Sequence, residues 1–107
     1  MDSAVALAPV LKRFRDAVAE LYGPALDRVV LFGSRARGDA REDSDYDVAV
    51  FLKGSPDLWS EWDRLTDLRL RFLDEGGPFI EARPFRAADY DKRTPIMHEI
   101  RKDGLTL

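Results

Sequence analysis

Residues 28–51 read RVVLFGSRARGDAREDSDYDVAVF. The pattern predicts two apolar strands, at residues 28–33 and 45–53, joined by a polar segment. The first strand is a continuous apolar run, which is typical of a central strand buried on both faces. The second strand begins with Asp45 and Asp47, which lie on one side of it because strand side chains alternate with a period of two. We therefore expect both carboxylates at the edge of a sheet, where a ligand can reach them.

Residues of this kind at this spacing favour a site for a metal ion and a phosphate. Two neighbouring carboxylates repel each other unless a cation or a proton lies between them. A hard divalent ion such as Mg²⁺ relieves this repulsion, since it prefers oxygen ligands and keeps positions open for substrate phosphates. The turn at Gly33 and Ser34 offers close backbone approach, a hydroxyl and the first amides of a short helix. Arg35, Arg37 and Arg41 add positive charge beside that turn.

Length and composition limit the class of protein. The chain has 107 residues, no cysteine and a net charge of −3. This length predicts a single domain over residues 1–107, and the absence of cysteine fits a reducing cytoplasm. The acidic balance argues against sequence-independent binding to nucleic acid, which needs a clear basic excess, and we expect no sequence-specific nucleic-acid partner either. No apolar stretch approaches the roughly 20 residues that a membrane-spanning helix needs, so no membrane partner is expected.

Two segments beside the central stretch predict long helices. An amphipathic stripe predicts a first helix that begins near Ala8 or Pro9 and ends at Tyr22. Ser55 has the features of an N-cap for a second helix. The apolar stripe of that helix includes Trp59 and Trp62, which we expect to face the core or a partner.

The rest of the chain predicts one further strand and one further helix. Residues 79–85 form the strand, near an edge of the sheet because Pro84 cannot donate to a ladder. Residues 87–103 are helical with an interruption at Thr94–Pro95, and residues 105–107 form a terminal apolar tag. The order α-β-β-α-β-α indicates an α/β or α+β domain with a mixed sheet of three to four strands flanked by helices.

The central stretch resembles the nucleotidyltransferase superfamily of DNA polymerase beta type. The signature of that family is a hydrophobic residue, Gly, Gly or Ser, about ten residues, then Asp-hydrophobic-Asp or Glu-hydrophobic. Here it reads Phe32-Gly33-Ser34, ten intervening residues and Asp45-Tyr46-Asp47-Val48. The fuller form GSRARGDAREDSDYDVAV is similar to the minimal nucleotidyltransferase branch, the MntA-like antitoxins. The resemblance implies the minimal nucleotidyltransferase palm as the fold.

The resemblance implies a catalytic and metal-binding role for three acids. Asp45 and Asp47 would bridge two Mg²⁺ ions. The family takes a third carboxylate, commonly an aspartate, from a later strand to bind metal and help deprotonate the acceptor hydroxyl. Glu81 is the candidate here, with a solvent-facing strand residue as the alternative.

The resemblance also implies which residues bind the nucleotide. Gly33 and Ser34 would hold the triphosphate of the donor, for which ATP is expected. Arg35 or Arg37 would neutralise the charge that develops on the leaving pyrophosphate, with Arg35 slightly preferred. Either arginine could instead be a solvated surface residue.

Three functions remain open on the sequence. The first is transfer of a nucleoside monophosphate, expected to be AMP, to a protein hydroxyl, since similar family members silence a HEPN-domain ribonuclease toxin by adenylylating a tyrosine. The second is a catalytically weak antitoxin that acts by binding its toxin. The third is an aminoglycoside-type small-molecule nucleotidyltransferase, completed by dimerisation, so a homo-oligomer is also expected under this interpretation. An exposed apolar patch at Trp59 and Trp62 would favour a protein partner.

Overall fold

The computed structural model describes residues 9–41 and 43–107. In chain order its elements are α1 (Pro9–Tyr22), β1 (Leu26–Phe32), α2 (Ser34–Arg37), β2 (Tyr46–Leu52), α3 (Leu58–Asp74), β3 (Ile80–Arg86), α4 (Pro95–Asp103) and β4 (Leu105–Thr106). The strands form one sheet in the order β3-β2-β1-β4. β1 is antiparallel to β2 and to β4, whereas β2 and β3 are parallel. The mixed α+β sheet and the central position of β1 are confirmed.

Helices α1 and α3 cover the first face of the sheet. Their apolar stripes pack on alternate residues of the strands, and the edge of the Phe14 ring meets the Phe72 ring at 5.3 Å between centroids. The buried residues of this core are Leu11, Phe14, Val18, Val29, Leu31, Val48, Val50, Leu52, Leu65, Leu68, Ile80 and Ala82. Alternation along the strands therefore places every second side chain of β1 and β2 in this core.

Helix α4 covers part of the second face. It contributes Met97 and Ile100 to a smaller core that also contains Val30, Phe32, Ala49 and Phe51. Asp47 belongs to the same row of β2 as Ala49 and Phe51, and it lies opposite Phe32 of β1. The second face is thus apolar along most of β2 and carries a carboxylate at the beginning of that strand.

The beginning of α3 differs from the prediction. Asp57, and not Ser55, is the N-cap: its side chain accepts a hydrogen bond from the N–H of Trp59 at 3.2 Å. Trp59 is 85% exposed and does not face the core. The reason is geometric, because it precedes the buried Leu65 by six residues, or about 240° around a helix with 3.6 residues per turn.

The end of the chain also differs from the prediction. Residues 105–107 are not a free tag, because Leu105 and Thr106 pair with Leu31 and Val30 of β1 as strand β4. The helix predicted over residues 87–103 is a 3-10 turn at Ala87–Asp89 followed by α4. None of the helices within the described ranges has the length and apolar character needed to cross a membrane.

Candidate active site

Gly33 allows the α2 turn to lie directly against Asp47. It has φ 76° and ψ −159°, a backbone conformation that only glycine adopts readily. Its carbonyl accepts hydrogen bonds from the N–H groups of Ala36 and Arg37 at 3.1 and 3.0 Å, which closes the turn. A β-carbon at residue 33 would lie 2.5 Å from Oδ2 of Asp47. Any other residue would therefore combine backbone strain with a clash against the carboxylate.

The α2 turn, which directly follows Gly33, carries backbone donors. The first N–H groups of a helical turn have no acceptor within it, because the turn's own bonds begin further along. In α2 these are the amides of Ser34 and Arg35, the two residues that directly follow Gly33. Backbone donors in such a position suit phosphate oxygens.

The structure brings the three predicted acids to the end of the sheet at which the parallel strands β2 and β3 begin. Asp47 is the register partner of Glu81 across the parallel β2–β3 pair. Asp45 directly precedes β2. Burial is the main reason why the pKa of Asp47 is raised above its ordinary value of 3.8, and the nearby carboxylates of Asp45, Glu81 and Glu99 raise it further. The guanidinium of Arg83 opposes this shift.

The acids offer the ligand chemistry of Mg²⁺ without forming a closed set of ligands. They supply only carboxylate oxygens, the donors that Mg²⁺ prefers. The raised pKa of Asp47 reflects in part a mutual repulsion that a cation would relieve. Within residues 9–41 and 43–107, however, no group of three His, Cys, Asp or Glu side chains could hold a metal ion as placed. Asp45 and Asp47 are spaced for the same side of β2 and fit the role of ligands, and the side chains of the three acids would have to converge further to bind one ion.

The two arginines of α2 have different surroundings. The Nε and Nη2 groups of Arg35 donate to the carbonyl of Ser44 at 3.2 and 2.8 Å, and its guanidinium lies 4.5 Å from the Tyr46 ring centroid. Arg35 thus fastens the segment that leads into β2. Arg37 instead forms ion pairs at 3.3 Å with Asp39 and with Glu99 of α4, and its side chain is 39% exposed. A phosphate contact stays a prediction for both arginines, and these surroundings favour Arg37.

Sequence reasoning missed two charged residues at this site. Arg83 follows Glu81 by two residues on β3 and thus faces the same side, so the period of two could have identified it. Glu99 reaches the site only because α4 folds back over the second face. No local pattern in the sequence indicates that contact.

The chain belongs to the nucleotidyltransferase domain family, whose sequence model matches residues 11–93. Two similar proteins come from Methanocaldococcus jannaschii. "Putative protein adenylyltransferase MJ0141" is 45% identical over 49 residues, which cover 46% of this chain and 50% of that protein. "Putative protein adenylyltransferase MJ0604" is 36% identical over 72 residues, which cover 67% and 66%. The chain therefore matches half to about two thirds of the length of these relatives, and the predicted superfamily is confirmed.

Solved structures share the fold at low sequence identity. A nucleotidyltransferase from Sulfolobus solfataricus, named as putative, has a TM-score of 0.69 at 22% identity, over 97% of this chain and 81% of that chain. A toxin-antitoxin solved with AMP-PNP has a TM-score of 0.60 at 17% identity, over 89% and 70%. A mutant of the toxin-antitoxin MntA-HpeT has a TM-score of 0.58 at 18% identity, over 90% and 70%. These likenesses show a common fold.

Proposed function

We propose that the protein is a metal-dependent nucleotidyltransferase that transfers AMP from ATP to a protein hydroxyl. The observation that carries this proposal is the close approach of Gly33 to Asp47, which supports the Gly33 turn as the phosphate-binding backbone beside a metal-binding carboxylate. Family membership supports nucleotidyl transfer. The names of the two M. jannaschii relatives support AMP as the group transferred and a protein as the acceptor.

In this reaction the acceptor oxygen bonds to the α-phosphorus while the bond to the bridging oxygen breaks and pyrophosphate leaves. The amides of the α2 turn bind the terminal phosphates, and Arg37 faces the charge that grows on the pyrophosphate. Glu81 accepts the proton of the hydroxyl at a carboxylate oxygen. Two Mg²⁺ ions held by Asp45, Asp47 and Glu81 would stabilise the attacking and leaving oxygens.

The surface of α3 supports a protein acceptor rather than a small molecule. Leu58, Trp59, Trp62 and Pro84 line an apolar cavity of about 500 Å³ where α3 meets the edge strand β3. An exposed apolar patch of this kind is typical of a protein-binding surface. Together with the toxin-antitoxin fold neighbours, it supports a HEPN-domain toxin as the acceptor. We place this reaction in the cytoplasm, where ATP and such a toxin would be available, and in a single domain of residues 1–107.

The test is transfer of label from ATP with a radioactive α-phosphate, in the presence of Mg²⁺, to a co-expressed HEPN-domain partner. The double variant Asp45→Asn with Asp47→Asn should lose labelling to background, because both principal carboxylates are gone. Glu81→Gln should lower it by about 10²-fold, within the usual contribution of a general base. Asp63→Asn, which removes an exposed acid from α3, is the matched control and should label normally.

A second candidate is an antitoxin that acts by binding alone. The observation that favours it is that the described acids do not converge into a metal-binding set. Under this alternative no label is transferred, and the parent protein and the double variant neutralise the toxin equally. That result would refute the enzymatic proposal. An aminoglycoside-type acceptor and a homo-oligomer stay predictions of the sequence.

A further inference from the structure

Arg37 is held by two carboxylates from different parts of the chain. Its Nε donates to Oδ2 of Asp39 and its Nη1 donates to Oε2 of Glu99, each at 3.3 Å. Asp39 follows the α2 turn almost at once, whereas Glu99 lies 62 residues after Arg37. The Arg37–Glu99 pair is therefore a tertiary contact between α4 and the turn that carries the candidate phosphate ligands.

Glu99 occupies a fixed place beside the site. Its helix is anchored in the second core by Met97 and Ile100, which are 3% and 1% exposed. The negative charge of Glu99 also reaches Asp47, where it contributes to the raised pKa of that carboxyl. The carboxylate of Glu99 thus pairs with Arg37 and also acts electrostatically on Asp47, one of the candidate metal ligands.

The two ion pairs leave part of the Arg37 guanidinium available to a ligand. An arginine side chain is planar and carries five N–H donors, of which these contacts use one on Nε and one on Nη1. The remaining donors lie on Nη1 and Nη2. Because the group is rigid and planar, fixing two of its nitrogens also fixes the direction of the third. A pair of N–H groups so directed can bind two phosphate oxygens at once.

We propose that Glu99 is a positioning residue for the donor nucleotide: it holds Arg37 so that the remaining N–H donors face the triphosphate. This inference rests on the proposed function, because it concerns the same triphosphate. The pair is exposed to solvent, with side chains 39% and 38% accessible, and such pairs contribute little to folding stability. Removing Glu99 should therefore change nucleotide binding far more than folding.

A competing effect of Glu99 would change the affinity for the nucleotide in the opposite direction. A carboxylate beside Arg37 lowers the local positive potential and competes with phosphate for the same donors. If competition dominated, loss of Glu99 would tighten nucleotide binding. If positioning dominates, loss of Glu99 weakens it.

The experiment is calorimetric titration of the full chain with Mg²⁺-ATP, which reads binding without any acceptor. We expect Glu99→Ala to weaken binding about fivefold and Arg37→Ala about tenfold or more. The double variant should bind no more weakly than Arg37→Ala alone, since Glu99 acts through Arg37. Glu99→Gln keeps an oxygen that can accept from Nη1, so its affinity should stay within about twofold of the parent.

Asp103→Ala is the matched control, because it removes the same charge from the same helix at a residue that does not pair with Arg37. Its affinity should equal that of the parent, and circular dichroism should show every variant folded. Equal or tighter binding by Glu99→Ala would overturn the inference alone, as would further weakening by Glu99→Ala when Arg37 is already absent. Failure of the parent protein to bind Mg²⁺-ATP would instead overturn the proposed function, and the inference with it.

Discussion

The two faces of the sheet differ in what covers them. On the first face, α1 and α3 bury the apolar side chains of Val48, Val50 and Leu52 of β2. On the second face, α4 buries Ala49 and Phe51, while Asp47 in the same row lies beyond the core. The strand that builds both cores therefore also holds a carboxylate at the edge of the second one. A charged group at this place is suited to binding a ligand, because a buried strand fixes its position while the beginning of that strand is less buried.

The largest effect should come from Gly33, where the site and the fold depend on the same atoms. Gly33→Ala forces a β-carbon to within 2.5 Å of Asp47 Oδ2 at a φ of 76°. We expect a loss of about 2–4 kcal/mol in the free energy of unfolding and loss of label transfer, because strain and clash add. Denaturant unfolding and the transfer assay measure the two effects.

Gly54→Ala is the matched control for this substitution. Gly54 has nearly the same φ, 78°, but a β-carbon there would meet no atom within 4 Å. It should show only the cost of the backbone strain, about 1 kcal/mol, and keep full transfer. If the two variants lost the same stability and activity, the contact with Asp47 would have no special importance.

The second face also shows what the sequence could and could not predict. The spacing of Gly33, Asp45 and Asp47 was sufficient to predict one half of the candidate site, because a turn and two strands are encoded by neighbouring residues. Glu81 could be proposed because it is the only acid in the strand predicted at residues 79–85. The alternation of side chains along a strand limits it to one of two faces of the sheet. Glu99 could not be proposed, since its contact depends on how α4 packs, which no local periodicity records. For the same reason the two-residue strand β4 was missed, as it exists only through its pairing with β1.

The next prediction concerns the exposed apolar surface where the beginning of α3 meets β3. Trp59→Ser should lower label transfer to the protein partner about tenfold or more, because exposed tryptophans often dominate binding at interfaces. Folding stability and Mg²⁺-ATP affinity should stay unchanged, since Trp59 is 85% exposed and is not among the residues proposed to bind the nucleotide. Transfer assays and calorimetry measure these quantities.

Leu70→Ser is the comparison variant for Trp59→Ser. Leu70 lies on the same helix and is 44% exposed, but it does not line the cavity that contains Trp59. It should transfer label at the parental rate. Equal losses in both variants would mean that the helix as a whole, and not the tryptophan surface, supports the acceptor.

The smallest effect should come from the charge of Asp47 itself. Its raised pKa means that the folded protein holds this proton more tightly than the unfolded chain, so the ionised carboxylate costs stability at neutral pH. Without divalent ions at pH 7, Asp47→Asn should raise the thermal midpoint by about 1–3 °C. The gain should shrink as the pH falls towards 3.8, the ordinary pKa, because the parental carboxyl then also becomes neutral.

Added Mg²⁺ should stabilise the parent but not the variant, since ligands that bind only the folded state raise its stability. Thermal unfolding followed by circular dichroism between pH 4 and 8, with EDTA or Mg²⁺, measures each step. A variant less stable than the parent at pH 7 in EDTA would mean that Asp47 serves the fold as a hydrogen-bonding group, and that its charge is not held in place for a cation.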